Sequence, residues 1–201
     1  IGYYSDNLID SLKKYTDLEV VVIEDRSNKS KVDLIHYPFF DFFRTTLPIS
    51  KKVPTVVTIH DVIPLKFPSH YPPGIKGKIK NIIQKFSLKN VDAVITDSES
   101  SKKDINKILG IPTGKIFPVY LAAAEHFKVI KDLKLLDTVK EKYKLPEQFA
   151  LYVGSVNWNK NLNNLAKACL KAEIDLVLVG GDFIKRENLY HPELKEFNKF
   201  I

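Results

Sequence analysis

The sequence predicts an α/β protein built on parallel sheets in two consecutive domains. Three observations carry that prediction. Short β-branched runs alternate with amphipathic helical segments, the order that gives parallel strands joined by right-handed crossovers. The run Thr55-Val-Val-Thr-Ile-His60-Asp61 ends abruptly in a histidine and a carboxylate, and open parallel sheets bind ligands beyond the carboxyl ends of their strands. After a stretch without strand signal, residues 149–179 give a fresh strand, helix and strand, a second β-α-β unit.

Each element follows from spacing and punctuation. Residues 3–15 place Leu8, Ile9 and Leu12 on one face of a helix with Gly2 at its mouth. Short apolar runs over 18–23, 32–37 and 53–59, bounded by polar residues or proline, read as strands. Between the last two lies an aromatic loop, Pro38-Phe-Phe-Asp-Phe-Phe43. Residues 75–89 carry Ile75, Ile79, Ile82, Ile83 and Phe86 at helical spacing, with Lys76, Lys78, Lys80, Lys85 and Lys89 on the remaining arc. The expectation is a helix that buries the isoleucines and shows its lysines to solvent. A strand over 91–96 leads into Asp97-Ser-Glu-Ser, which opens a helix with cap candidates and a first-turn acid, and Gly110-Ile-Pro ends it. Residues 115–120 are a further short strand, and 121–148 hold only a polar crossing and a helix over 132–144. The expected domains are therefore 1–125 and a second one beginning at 149, with 126–148 crossing between them.

Composition bounds the function. With 44% hydrophobic and 27% charged residues, the 201-residue chain is globular. No run approaches the roughly 18 apolar residues of a membrane span, and no signal peptide is recognisable, so a cytoplasmic protein is expected. The single cysteine, Cys169, sits in an apolar helical pattern and reads as buried filler. A surplus of 31 basic over 24 acidic residues gives +7. The basic residues are nearly all lysine, which favours diffuse attraction over forked recognition, so nucleic acid, anionic lipid and phosphorylated small molecules stay open at this level. With no methionine in the chain, Ile1 is not expected to be the natural start.

Several loops carry residues suited to chemistry. Gly2 at a helix mouth suits close backbone approach to an anion, or simply a turn. The loop Gly154-Ser155-Val-Asn-Trp-Asn-Lys160-Asn161 joins a strand to a helix and brings a lysine to free helix amides, a phosphate-binding arrangement or an exposed loop. His60 suits a base, a hydrogen-bond donor or a metal ligand, but no His or Cys cluster at zinc spacing surrounds it, and no metal is expected. Ser98 and Glu99 read as cleft residues or as a helix cap with its first-turn acid. Glu125-His126-Phe127 lines a cleft or packs at the junction.

The motifs Ile1-Gly-Tyr-Tyr, Thr58-Ile-His-Asp-Val-Ile-Pro, Val94-Ile-Thr-Asp-Ser-Glu-Ser-Ser-Lys-Lys-Asp, Tyr120 to Phe127 and Tyr152-Val-Gly-Ser-Val-Asn-Trp-Asn-Lys-Asn-Leu occur in this order. Together they resemble family 4 glycosyltransferases of the GT-B fold. The resemblance implies a Rossmann-like N-terminal domain that binds the acceptor and the beginning of a second Rossmann-like domain that binds a nucleotide diphosphate sugar. It implies sugar transfer to a saccharide or lipid-linked acceptor with retained anomeric configuration and no required metal or further cofactor. By position, Gly2 matches the glycine loop near the donor phosphates and His60 the histidine that contacts the transferred sugar, with Asp61 as its neighbour and orienter. Gly154, Ser155 and Lys160 match the phosphate loop, where Lys160 would offset charge on the leaving diphosphate.

Ser155 stands where the family often has arginine, which places more weight on Lys160. The chain also stops before the family's acidic donor-binding motif and lacks the strand before Gly2, so it is expected to be part of a longer enzyme. A non-catalytic sugar- or nucleotide-binding module is the alternative, and a sugar-nucleotide epimerase is a weaker rival. Nucleic acid is not an expected partner. The lysine arc over 75–89 and the aromatic loop over 38–43 are candidates for contact with an anionic membrane surface.

Overall fold

The computed structural model describes residues 2–23, 31–184 and Phe197. It divides into two compact units, Ile1–Phe127 and Lys128–Ile201. The first contains α1 (Gly2–Tyr15), β1 (Ile35–Tyr37), β2 (Thr55–Thr58), α2 (Ile63–Lys66), α3 (Gly74–Lys89), β3 (Ala93–Thr96), α4 (Glu99–Leu109) and β4 (Ile116–Pro118). Its four strands form one parallel sheet in the order β1-β2-β3-β4. The second unit contains α5 (Leu133–Tyr143), β5 (Phe149–Val153), α6 (Leu162–Lys171), β6 (Asp175–Val179) and α7 (Gly181–Ile184), with β5 and β6 parallel. The α/β architecture with parallel sheets is the one the alternating pattern predicts. Of the segment 126–148, expected as a crossing, residues 128–148 are grouped with the second unit.

The central strands are apolar because helices and loops cover both faces. Val57 and Val94 are fully buried and pack with Ile59, Leu88, Ile105 and Ile116. Such side chains each contribute about 1.5–3 kcal/mol when removed from water. Helix α4 has well-defined ends. Ser98 accepts a hydrogen bond from the Ser101 N–H at 3.1 Å, and Gly110 closes the helix at φ 70° with its N–H bonded to the Asn106 carbonyl. In the second unit, Val156, Leu162, Ala166 and Phe197 form the core, and Cys169 is buried on α6 as expected. Among the described residues no helix is long and apolar enough to cross a membrane.

Three expectations are corrected. Residues 18–23 form no strand, and Leu18, Val21 and Val22 are exposed. A strand needs a ladder partner as well as β-branched residues, and none pairs with this run among the described residues.

Helix α3 is turned over. Its buried stripe is Gly77, Gln84, Ser87 and Leu88, while Ile75, Ile79, Ile82, Ile83 and Phe86 face solvent. The reason is the surface beneath it, the backbone of the loop around residues 41–47, whose peptide groups require polar partners. The Gln84 side chain accepts from the N–H groups of Thr46 and Leu47, each at 2.9 Å, and donates to the Leu47 carbonyl at 3.1 Å. Asn81 donates to the Phe42 carbonyl at 3.3 Å. At Gly77 a Cβ would stand 2.9 Å from the Pro73 Cβ, so only glycine allows this approach.

The aromatic loop, finally, turns inward. Phe40 and Phe42 are buried in the core, so these rings are not available as a surface anchor.

Candidate active site

The carboxyl ends of β1, β2 and β3 bring together side chains that lie far apart in sequence. His60 follows β2, and its Nδ1 lies 2.9 Å from Oδ2 of Asp97, the residue after β3. A carboxylate only accepts, so Nδ1 donates in this contact and Nε2 is the nitrogen left over. That Nε2 is buried and has no hydrogen-bond partner among the described residues. Tyr4 of α1 meets the imidazole edge-on at 4.8 Å, and Phe39 stacks on it at 6.4 Å. A second histidine sits beside this pair. His36 Nε2 lies 2.9 Å from Thr58 Oγ1, which is also 3.2 Å from the Tyr4 hydroxyl. Burial pushes the His36 pKa below its ordinary 6.5. Tyr4 thus links the two imidazoles, touching one with its ring and reaching the other through Thr58.

The neighbouring residues take different places from those the sequence suggests. Asp61 does not orient His60; its Oδ1 accepts from the Ile63 N–H at 2.8 Å and holds the turn into α2. Ser98 spends its hydroxyl oxygen on the α4 cap, and Glu99 is an exposed first-turn acid. Asp97 and His36 are the residues sequence reasoning passed over. Both stand at a strand's carboxyl end, so the rule that singles out His60 would have found them. Gly2 is the first residue of α1, where a Cβ would meet nothing within 4 Å, so the chain itself does not demand glycine there. Glu125 is exposed and binds the Lys14 ammonium at 2.9 Å and the Tyr15 hydroxyl at 3.2 Å.

A pocket of about 460 Å³ opens beside His60. Phe39, Phe40, Phe42, Phe43 and Tyr71 line it, with Asp41 and Asp61 as its carboxylates. Aromatic faces present flat apolar surface, and carboxylates accept hydroxyl protons. That combination suits a ligand with C–H faces and O–H edges, such as a sugar ring. Among the described residues no three His, Cys, Asp or Glu side chains are grouped to hold a metal ion.

In the second unit the loop after β5 is held from several directions. Gly154 has φ 154°, and its N–H bonds to the Val179 carbonyl at 2.9 Å. At Gly180 a Cβ would lie 2.1 Å from the Gly154 carbonyl oxygen, so β5 and β6 end in a contact that only glycine permits. The Gly180-Gly181 doublet directly after a strand was the signal for it. The Tyr152 hydroxyl donates to the Ser155 carbonyl at 2.7 Å, Asp182 accepts from the Val156 N–H at 2.8 Å, and Asn157 donates to the Ser155 hydroxyl at 2.9 Å. Lys160 ends a single 3-10 turn and is exposed. Asn161 follows at φ 54° and makes no side-chain cap bond to α6, so the first amides of that helix lack a side-chain cap and present the positive end of its dipole.

Parallel strands with a histidine–aspartate pair and an aromatic pocket at their carboxyl ends make the first unit a Rossmann-like one. The model of Glycosyltransferase Family 4 matches residues 15–122, more than half of the chain, and the chain belongs to that family. The matched region contains His36, His60, Asp61 and Asp97; Gly2 and Lys160 lie outside it. The chain is 28% identical over 141 residues to the serotype-specific mannosyltransferase WbdA of Escherichia coli, covering 67% of this chain and 17% of that protein. It is 27% identical over 116 residues to the O-antigen chain mannosyltransferase B of Escherichia coli, covering 56% of this chain and 29% of that protein. The aligned part is thus less than a third of the length of either relative.

Proposed function

We propose that this chain supplies the acceptor-binding unit, and the start of the donor-binding unit, of a retaining glycosyltransferase that needs no metal. It moves a hexose from a nucleotide diphosphate sugar to a saccharide or lipid-linked acceptor. The observation that carries this reading is His60, fixed by Asp97 with its second nitrogen unpartnered beside an aromatic pocket, in a chain of Glycosyltransferase Family 4. A buried, unpaired nitrogen costs about 1–3 kcal/mol, and a sugar hydroxyl that bonds to Nε2 recovers that cost when substrate binds. In the reaction the acceptor hydroxyl oxygen bonds to the anomeric carbon, on the face from which the diphosphate departs. The bond from that carbon to the diphosphate breaks with both electrons leaving on oxygen, and the hydroxyl proton passes to the same oxygen. Lys160 and the uncapped amides of α6 offset the charge that develops there. Mannose is the first sugar to consider, because both relatives are named mannosyltransferases.

The test is to incubate the complete natural protein with a panel of nucleotide diphosphate sugars, the mannose donor first, and to measure nucleoside diphosphate release and acceptor modification. His60→Ala and Lys160→Ala are each expected to lower the rate about 100-fold, the size of effect seen when one stabilising group is removed from a preorganised site. Asp97→Asn should lower it about tenfold, because the amide no longer restricts Nδ1 to a donor role. Absence of turnover together with absence of nucleotide binding across the panel refutes the reading.

A further inference from the structure

Helix α3 presents a second surface that the transfer chemistry does not use. At 3.6 residues per turn, Ile75, Ile79, Ile82, Ile83 and Phe86 fall within an arc of about 100°, and all five are exposed, Ile75 at 80% and Ile82 at 59%. The opposite side of the helix is the stripe docked on the loop through Gly77, Asn81 and Gln84. The ridge therefore points away from the core. On the same helical projection Lys76 and Lys80 flank one edge of it, and Lys78, Lys85 and Lys89 the other; the 16-residue helix carries no acidic residue. The Lys89 ammonium lies 5.0 Å from the centre of the Phe86 ring, so the ridge and this lysine border are in contact.

We propose that α3 docks lengthwise on an anionic lipid bilayer, with its isoleucine and phenylalanine ridge inserted among the acyl chains and its lysines among the headgroups. Charge complementarity selects this occupant. An apolar ridge bordered on both edges by lysines, on a helix without an acidic residue, fits the boundary of a negatively charged bilayer. The surroundings agree. A groove of about 260 Å³ runs beside Lys78 and Ile82 and shares Phe43 and Pro64 with the aromatic pocket next to His60. The bilayer face is thus continuous with the candidate acceptor pocket, and an acceptor anchored in the bilayer can enter without leaving the surface. That last step rests on the transferase reading; the docking itself does not.

The test uses the full chain without any sugar substrate, so its result is separate from the fate of the transferase reading. Co-sedimentation is measured with phosphatidylcholine vesicles, with and without phosphatidylglycerol, over a salt series. Binding is expected only with phosphatidylglycerol and is expected to weaken as salt rises. Replacing Lys76, Lys80 and Lys85 by glutamine should lower affinity about fivefold per lysine, the equivalent of about 1 kcal/mol each near such a surface. Ile79→Ser with Ile82→Ser should abolish binding at an unchanged thermal unfolding midpoint, since both residues are exposed; either single substitution should weaken it. Equal binding to neutral vesicles, or vesicle binding unaffected by the ridge substitutions, overturns the proposal. So does a wild-type dimer that these substitutions convert to monomer with no vesicle binding, because the ridge is then covered by a second copy.

Discussion

At the scale of single residues, the two histidines at the strand ends meet different surroundings. His60 pairs with a carboxylate, whereas His36 is half-buried against a threonine hydroxyl and loses affinity for its proton. A lowered pKa in the folded state means that the unfolded chain takes up a proton, near the ordinary value of 6.5, that the native state refuses. The stability contributed by neutral His36 is therefore complete above that pH and is lost as pH falls through it. Urea unfolding at pH values on either side of 6.5 should show a fall in midpoint that is smaller in His36→Asn, and equal falls in the two proteins would refute the assignment. His60 was legible in the sequence because it breaks an apolar run. Asp97 was hidden in a stretch that reads equally well as a helix cap, and only the distance to His60 separates its role from that of Ser98 or Asp61.

At the scale of elements, α3 is where periodicity misleads. The pattern correctly gives a helix, but which face it buries depends on what lies beneath, and a loop backbone takes amides in preference to isoleucines. Gln84 is the residue that decides this. Gln84→Ala removes three hydrogen bonds and strips two N–H groups and a carbonyl of this partner. It is expected to cost about 3 kcal/mol, read as a lower denaturation midpoint with an unchanged slope. An effect below about 0.5 kcal/mol, the usual range for surface substitutions, would show that water replaces the glutamine without penalty. The ends of α4 were easier to read, because Ser98 and Gly110 act on the backbone within a few residues of themselves.

At the scale of the molecule, the two units differ in how much they bury. The four-stranded sheet encloses Val57 and Val94 completely, while Leu151 and Val153 of the two-stranded sheet are exposed at 59% and 68%. A sheet of two strands is marginal without further cover, and local opening follows burial. Hydrogen exchange should therefore find the amides of β2 and β3 the slowest, with those of β5 and β6 exchanging well before them. Uniform protection of both sheets would contradict this ranking.

What the sequence determined alone is the order of elements, their parallel arrangement, the helix ends and the position of His60, because these depend on period and punctuation over a few residues. Tertiary structure alone decided that 18–23 stands outside the sheet, that Asp97 rather than Asp61 holds His60, and that α3 turns its isoleucines outward. Each of these depends on a partner tens of residues away in sequence. Hydrogen bonds and buried contacts are settled by proximity in space, and a local pattern carries no record of which distant backbone will be left in need of a donor or an acceptor.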